Sequence, residues 1–332
     1  MLKTNTIKGN KRYIVIFIKS IITIALVWLI YRRLFIEHQF SQLLDEFSFN
    51  RSASSKYFFI LCLFLLFVNW SLEAFRWKLM VNQYYKISFA EALKGIFIGL
   101  TFGVVSPQRI GEFAGRLMVL PVEKNWLSIR ASFYGSLAMN IIVVICGLLA
   151  YLGIQAEQVT IPALPSNLFY FSIVPTLIVF VTLYLFFPHI EKIFKLFKLT
   201  SKLKSWGSFE DYPFKKITLL KVILISFIRY AVFVLQYFLI IKFIGIELEA
   251  VKIFSLIGII YLAQSIIPLP GLMNLVARGE IAMAVFSLYN VNEISILLAT
   301  FTLWIINLLI PSLIGLGLLW RIPILKSLGI EK

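Results

Sequence analysis

Along this chain, apolar runs long enough to cross a bilayer alternate with short, polar and mostly basic connections. A hydrocarbon core about 30 Å thick takes about 20 apolar residues wound as a helix. Six stretches approach that length: 14–33, 57–75, 129–152, 167–187, 219–243 and 293–320. Pro175 and Pro311 fall inside two of them, where a missing N–H kinks a helix. Two further apolar regions are too short. Gly95–Val105 rises only about 16 Å as a helix before the polar run Ser106-Pro107-Gln108-Arg109; a second arm, Ile110–Leu120, then ends at Pro121. Ile253–Ile267 runs into Pro268-Leu269-Pro270-Gly271, and the arm Ala277–Leu288 follows. Each pair reads as a re-entrant hairpin of two half-helices. The turns, at Ser106, Pro107 and Gly111 and at Pro268, Pro270 and Gly271, lie at a depth where irregular backbone is tolerated only beside protein or a water-filled cavity. The alternative is two ordinary tilted spans in each region.

The expected fold is therefore an all-α polytopic membrane protein, with about six full spans and two re-entrant helical hairpins in a single membrane domain, 1–332. In both 1–152 and 167–332 the order is span, span, hairpin, span. The second half starts from the opposite side, the pattern of an inverted repeat with a site at the midplane.

Composition agrees: 60% of the 332 residues are hydrophobic and 14% charged, against about 45–50% and 25% in soluble domains. The net charge of +16 would suggest nucleic acid in a soluble protein, but here the basic residues flank the spans. With the N-terminus inside, 22 of the 32 Lys and Arg fall on the inner side and 6 on the outer. The positive-inside rule then puts both termini in the cytoplasm and the chain in the cell (inner) membrane. Arg32 and Arg33 go against that bias and must snorkel. No small-residue cleavage site follows the first apolar run, so it reads as an uncleaved span. The loop 188–218 carries Lys192, Lys195, Lys198 and Lys202 near one helical face, which suits an interfacial helix on anionic lipid.

Cys62 and Cys146 sit in apolar runs and read as small buried hydrophobes. His38 and His189 lack ligand-like neighbours, so neither a metal nor a cofactor is expected. A GxxxxGK[ST] phosphate loop is absent, which argues against ATP hydrolysis. The remaining chemistry lies in four arginines at membrane depth: Arg109, Arg116, Arg229 and Arg278. An arginine at the bilayer centre costs about 2.5–3.5 kcal/mol on insertion scales, so these four must be paired or line an aqueous cavity. Arg109, Glu112 and Arg116 share a helical face, and Glu112 can fully pair with only one of the two arginines. Arg109 is expected at the start of a half-helix whose free N–H groups would add to a phosphate site. Asn274 and Arg278 share a face in the second hairpin, and Glu280 points elsewhere, toward an arginine on another helix. Ser226, Arg229 and Gln236 form a polar stripe that should face the interior. Ser132, Ser136 and Asn140 form a second, better explained by close helix packing. Glu73 and Arg76 read as a local ion pair at the cytoplasmic interface, and Asn307 as a cap for the Pro311 kink.

At these residues the sequence resembles the flippase-like membrane domain found at the N-terminus of lysylphosphatidylglycerol synthases and as stand-alone proteins. The resembling stretches are Phe75-Arg76-Trp77-Lys78, Gly103-Val104-Val105-Ser106-Pro107-Gln108-Arg109-Ile110-Gly111-Glu112, and Pro268-Leu269-Pro270-Gly271 through Glu280. The resemblance implies movement of aminoacylated phospholipids, or related anionic or polyprenyl lipids, between leaflets. It carries functional weight to Pro107, Arg109, Gly111, Glu112, Pro270, Gly271 and Glu280. The second motif departs from the family pattern, being poorer in glycine and gaining Asn274 and Arg278. With no aminoacyl-transferase domain after Lys332, synthesis of lysylphosphatidylglycerol is not expected. The leading expectation is thus a lipid flippase or transporter whose partners are membrane lipids with anionic headgroups. Its headgroup site would comprise Arg109, Glu112, Arg116, Arg229, Asn274, Arg278 and Glu280. Two alternatives remain: an intramembrane enzyme acting on a lipid phosphate through Glu112 or Glu280, and a non-catalytic scaffold using the loop 188–218.

Overall fold

A computed structural model of the chain describes residues 53–106, 109–157, 171, 173–186, 214–266 and 273–321. All regular structure among them is helical. The helices are α1 (Ala53–Val81), α2 (Phe89–Val105), α3 (Gly111–Leu117), α4 (Asn125–Ala156), α5 (Ile173–Phe186), α6 (Lys216–Ile244), α7 (Ala250–Ile266), α8 (Met273–Phe286), α9 (Glu293–Trp304) and α10 (Ile310–Trp320).

Four helical stretches are long and apolar enough to span a bilayer: Lys56–Val81, Val122–Ala156, Lys216–Ile244 and Glu293–Trp320. They match four of the six expected spans. The first expected span lies outside the described residues, and of the fourth only 171 and the short α5 are described. Neither α1 nor α6 contains Gly or Pro, so nothing interrupts their 29 residues. α6 stops at Gly245, whose left-handed backbone (φ 91°) closes the helix end in a conformation that glycine adopts without a Cβ penalty. The last span is not one straight helix. Between α9 and α10 the backbone widens into a π-helical turn over Ile305–Leu309, just before Pro311, which lacks the N–H a regular ladder requires.

The two short regions form helix pairs. In the first, α2 starts at Phe89, six residues before the expected Gly95, because Ser88 and Glu91 make a capping box. Ser88 Oγ accepts from the Glu91 N–H (3.1 Å), and a Glu91 carboxylate oxygen accepts from the Ser88 N–H (2.7 Å). At 17 residues, α2 rises about 25 Å and still falls short of a full span. Its partner α3 has 7 residues, and the two are joined at backbone contact. A Cβ on Gly115 would lie 2.0 Å from the Gly99 nitrogen, and one on Gly111 would lie 2.4 Å from the Phe102 carbonyl oxygen. In the second pair, α7 and α8 pack together, and the connecting turn with Pro268, Pro270 and Gly271 lies outside the described residues.

Contacts at the helix ends show which side each pair enters from. Where α1 ends and α6 begins, the Lys215 N–H donates to the Gln83 side-chain oxygen (3.1 Å), and Tyr84 meets Phe214 edge-on. The α2/α3 pair is strung between α1 and α4 from that end. At the other end the Tyr289 hydroxyl donates to Glu157 (2.8 Å), at the close of α4, and Lys252 lies 3.9 Å from the same carboxylate. The α7/α8 pair enters there. The core between the pairs is filled by Trp77, Tyr134, Tyr151, Tyr237 and Phe286, all fully buried. Outer faces carry exposed apolar residues such as Phe64, Phe67, Leu220 and Leu224, as lipid-facing surfaces do.

Candidate functional site: a guanidinium cluster and an aromatic cavity

Glu73, near the end of α1, is 2% exposed and contacts three arginines from three helices. Arg76 of α1 reaches it at 2.5 Å, Arg116 of α3 at 2.6 Å and Arg229 of α6 at 2.9 Å. The expected local Glu73–Arg76 pair is therefore one edge of a buried hub. A charge of either sign taken out of water costs several kcal/mol unless partnered. One carboxylate shared by three cations from different elements is thus a cross-link that none of them can leave cheaply. α4 contributes room: Gly135 faces the Arg76 guanidinium, and a Cβ there would come within 3.1 Å of it. Arg76 also donates to Ser226 Oγ (2.7 Å).

The hub extends in two directions. Toward the first helix pair, Arg116 also lies 3.9 Å from Glu112, which holds Arg109 in a close ion pair through Nε. Glu112 thus gives its closest contact to Arg109, as the limit of one full partner required. Arg109 has a left-handed backbone (φ 56°), which costs a non-glycine residue about 1 kcal/mol or more. The turn around it is stitched by Ser106, whose hydroxyl accepts the Gly111 N–H (2.8 Å) while its carbonyl accepts the Arg109 N–H (3.3 Å). That corrects one expectation: the Gly111 N–H at the start of α3 is not free to face a ligand, because Ser106 takes it, and two turns of helix carry little dipole. Pro107 lies outside the described residues.

In the other direction Arg229 donates to Asn69 (2.9 Å), and Asn69 donates to Asn307 (3.2 Å) in the π-helical turn. Asn307 does more than cap the Pro311 kink, then; it joins the last span to the cluster. Ser226, Arg229 and Gln236 are all buried, and Gln236 donates to the Cys62 carbonyl on α1 (3.1 Å). Counted along the helix axes, the cluster lies from about 8 Å to about 20 Å inward from the close of α1 and the start of α6.

Next to the cluster lies a cavity of about 60 Å³, walled by Trp70, Phe233, Tyr237, Tyr261 and Trp304, with Arg109, Arg278, Gln264, Thr300 and Asn307 as its polar residues. It brings Arg109 from the first helix pair together with Arg278 from the second. Asn307 is 8% exposed; its Oδ1 is taken by Asn69, and its Nδ2 has no partner among the described residues. Tyr237 and Thr300 close one wall with a 2.5 Å hydrogen bond. Arg229 lies behind another wall, 5.1 Å from the rings of both Trp70 and Phe233. A larger apolar cleft of about 640 Å³, bordered by Leu149, Phe227, Val234 and Phe254, lies between α4, α6 and α7. Tyr261 packs against Tyr230 and separates the cleft from the cavity.

Other expectations fare differently. Glu280 is exposed and forms no ion pair among the described residues, so the role of counter-ion to a distant arginine falls to Glu73. The Asn274 side chain, the turn residues Pro268, Pro270 and Gly271, and most of the loop 188–218 lie outside the described residues. Ser132 is buried, and its carbonyl accepts from Ser136 (3.1 Å). No group of three or more His, Cys, Asp or Glu among the described residues could hold a metal. Glu73, Asn69 and Asn307 are the residues that sequence reasoning undervalued. The signal for the first two was present, since Asn69, Glu73 and Arg76 recur at four and three residues on one face of a span.

Donor-rich cations thus stand beside a small aromatic cavity among the apolar helices. A search of curated proteins finds no match to this chain. The profile of one family, the lysylphosphatidylglycerol synthase TM region, aligns with residues 16–315, and the chain belongs to that family.

Proposed function

We propose that this protein moves a lipid with an anionic headgroup between leaflets, and that the headgroup passes through the cavity shared by Arg109 and Arg278. The observation that carries this reading is that one cavity collects an arginine from each of the two helix pairs, and the pairs enter from opposite ends. Opposed half-helices meeting at a midplane site suit alternating access, in which one pair opens while the other stays shut. The order of elements in 1–152 and 167–332 fits an inverted repeat of this kind. Hydrocarbon chains need no aqueous route, and the apolar cleft behind Tyr261 offers one a place beside the headgroup site. Membership of a lipid-linked family supports the same reading, as do the cationic and aromatic walls. The proposed headgroup residues are Arg109 and Arg278 at the cavity. Glu112 holds Arg109 from behind, and Arg116 links that pair to the Glu73 hub that also holds Arg229.

The test is transfer of a fluorescent anionic phospholipid across proteoliposome membranes, followed by dithionite quenching. Arg109→Ala should lower the transfer rate at least tenfold while the melting temperature of the purified protein falls by no more than a few degrees. Unchanged transfer in a folded Arg109→Ala protein would remove the reading.

A further inference from the structure

We infer that the cavity selects a headgroup ending in a phosphate monoester and rejects aminoacylated headgroups; this rests on the lipid-headgroup reading above and narrows it. Two observations point the same way.

The first is charge. Among the described residues, the cluster and cavity hold the guanidinium groups of Arg76, Arg109, Arg116, Arg229 and Arg278 against the carboxylates of Glu73 and Glu112. Arg76, Arg109, Arg116 and Arg229 exceed Glu73 and Glu112 by two positive charges, Arg278 brings a further cation to the cavity, and the cavity wall itself has no Asp or Glu among its described residues. A phosphodiester brings one negative charge, whereas a monoester approaches two near neutral pH. A lysyl ester adds ammonium groups to a field that is already positive, in surroundings where water screens poorly.

The second is the inventory of donors and ring faces. The Asn307 Nδ2, 8% exposed as a residue and without a partner among the described residues, is a spare donor at the wall and suits an oxyanion. An ammonium group would need either acceptors or open aromatic faces. Arg229 already stands 5.1 Å from the ring centres of Trp70 and Phe233, so two of the five aromatic side chains at the wall already serve a resident cation.

The experiment is native mass spectrometry of the full-length protein in detergent with dioleoyl lipids that differ only in headgroup: phosphatidic acid, phosphatidylglycerol and lysylphosphatidylglycerol. Phosphatidic acid should bind at least tenfold more tightly than phosphatidylglycerol, and lysylphosphatidylglycerol should be the weakest of the three. Arg278→Gln should reduce the phosphatidic acid preference to less than threefold, while Gly317→Ala, whose added Cβ would meet nothing within 4 Å, should retain it. The wild-type ranking stands as a test even if Arg278→Gln does not fold. Soluble glycerol 3-phosphate should displace phosphatidic acid only at far higher concentration; displacement at equal concentration would assign the site to a free phosphate ester and overturn the lipid assignment. Lysylphosphatidylglycerol binding as tightly as phosphatidic acid would overturn this selectivity and leave the transport reading standing. Failure of every anionic lipid to bind would sink both.

Discussion

Replacing Glu73 by Gln keeps the shape of the hub and removes its only full negative charge. Arg76, Arg116 and Arg229 would remain within 2.5–2.9 Å of a neutral amide, and one of its two polar ends would point N–H donors at guanidinium groups that are themselves donors. Taking away one partner of a buried ion pair costs about 3–5 kcal/mol, because the other charge stays buried and uncompensated. Here three arginines share the loss, and Glu112, 3.9 Å from Arg116, is too far away to replace it. At about 2–4 °C per kcal/mol, Glu73→Gln should lower the melting temperature by about 6–20 °C, measured by intrinsic fluorescence in detergent. Pairing it with Arg229→Gln should recover part of that fall, since the double variant has one fewer stranded charge. A Glu73→Gln protein that melts within 2 °C of wild type, or a double variant whose loss equals the sum of the single losses, would refute the shared-carboxylate account.

Two other outcomes follow from the structure. Gly115→Ala would set a Cβ 2.0 Å from the Gly99 nitrogen, where both neighbours are main chain and cannot swing aside; a loss of about 3 kcal/mol or more is expected, against a neutral or slightly stabilising Gly317→Ala, both read from thermal melts. Hydrogen bonds from the Ser88 backbone and side chain hold the Glu91 carboxyl below the usual glutamate range. A lowered folded-state value means that the cap contributes fully above the unfolded value and is lost as pH falls through the folded one. Hydrogen exchange in the first turn of α2 should therefore speed up on acidification below about pH 4 in wild type, and Glu91→Gln should show no such change.

How much of this was legible in the sequence depended on whether the cause was local. Span positions followed from run length, since α1 and α6 have no Gly or Pro. The end of α2 followed from the polar break at Ser106, yet its length was underestimated because the apolar run begins after Lys94, whereas the helix begins at a capping box six residues earlier. The close packing of α2 on α3 was also written in the sequence, in the four-residue spacing of Gly95, Gly99 and Gly103 and of Gly111 and Gly115. The hub was not legible. Glu73 has Arg76 one helical turn away, and that neighbour accounts for its charge so well that nothing local suggests Arg116 or Arg229, more than 40 and more than 150 positions further on. The π-helical turn was equally hidden: Pro311 announces a disturbance, but not that Asn307 would be turned toward Asn69.

The glycine faces of α2 and α3 limit how the first hairpin can work. Where two helices meet through side chains, one can slide past the other as rotamers adjust. Where the Gly99 main chain fills the place a Gly115 Cβ would take, no side chain lies between them to yield. On its other side α2 meets the last helix, whose Gly315 rests on the Phe97 carbonyl. If the first hairpin moves, α2 and α3 must therefore move as one piece between the connections at 82–88 and 118–124, and against a last helix that lies at backbone contact with α2.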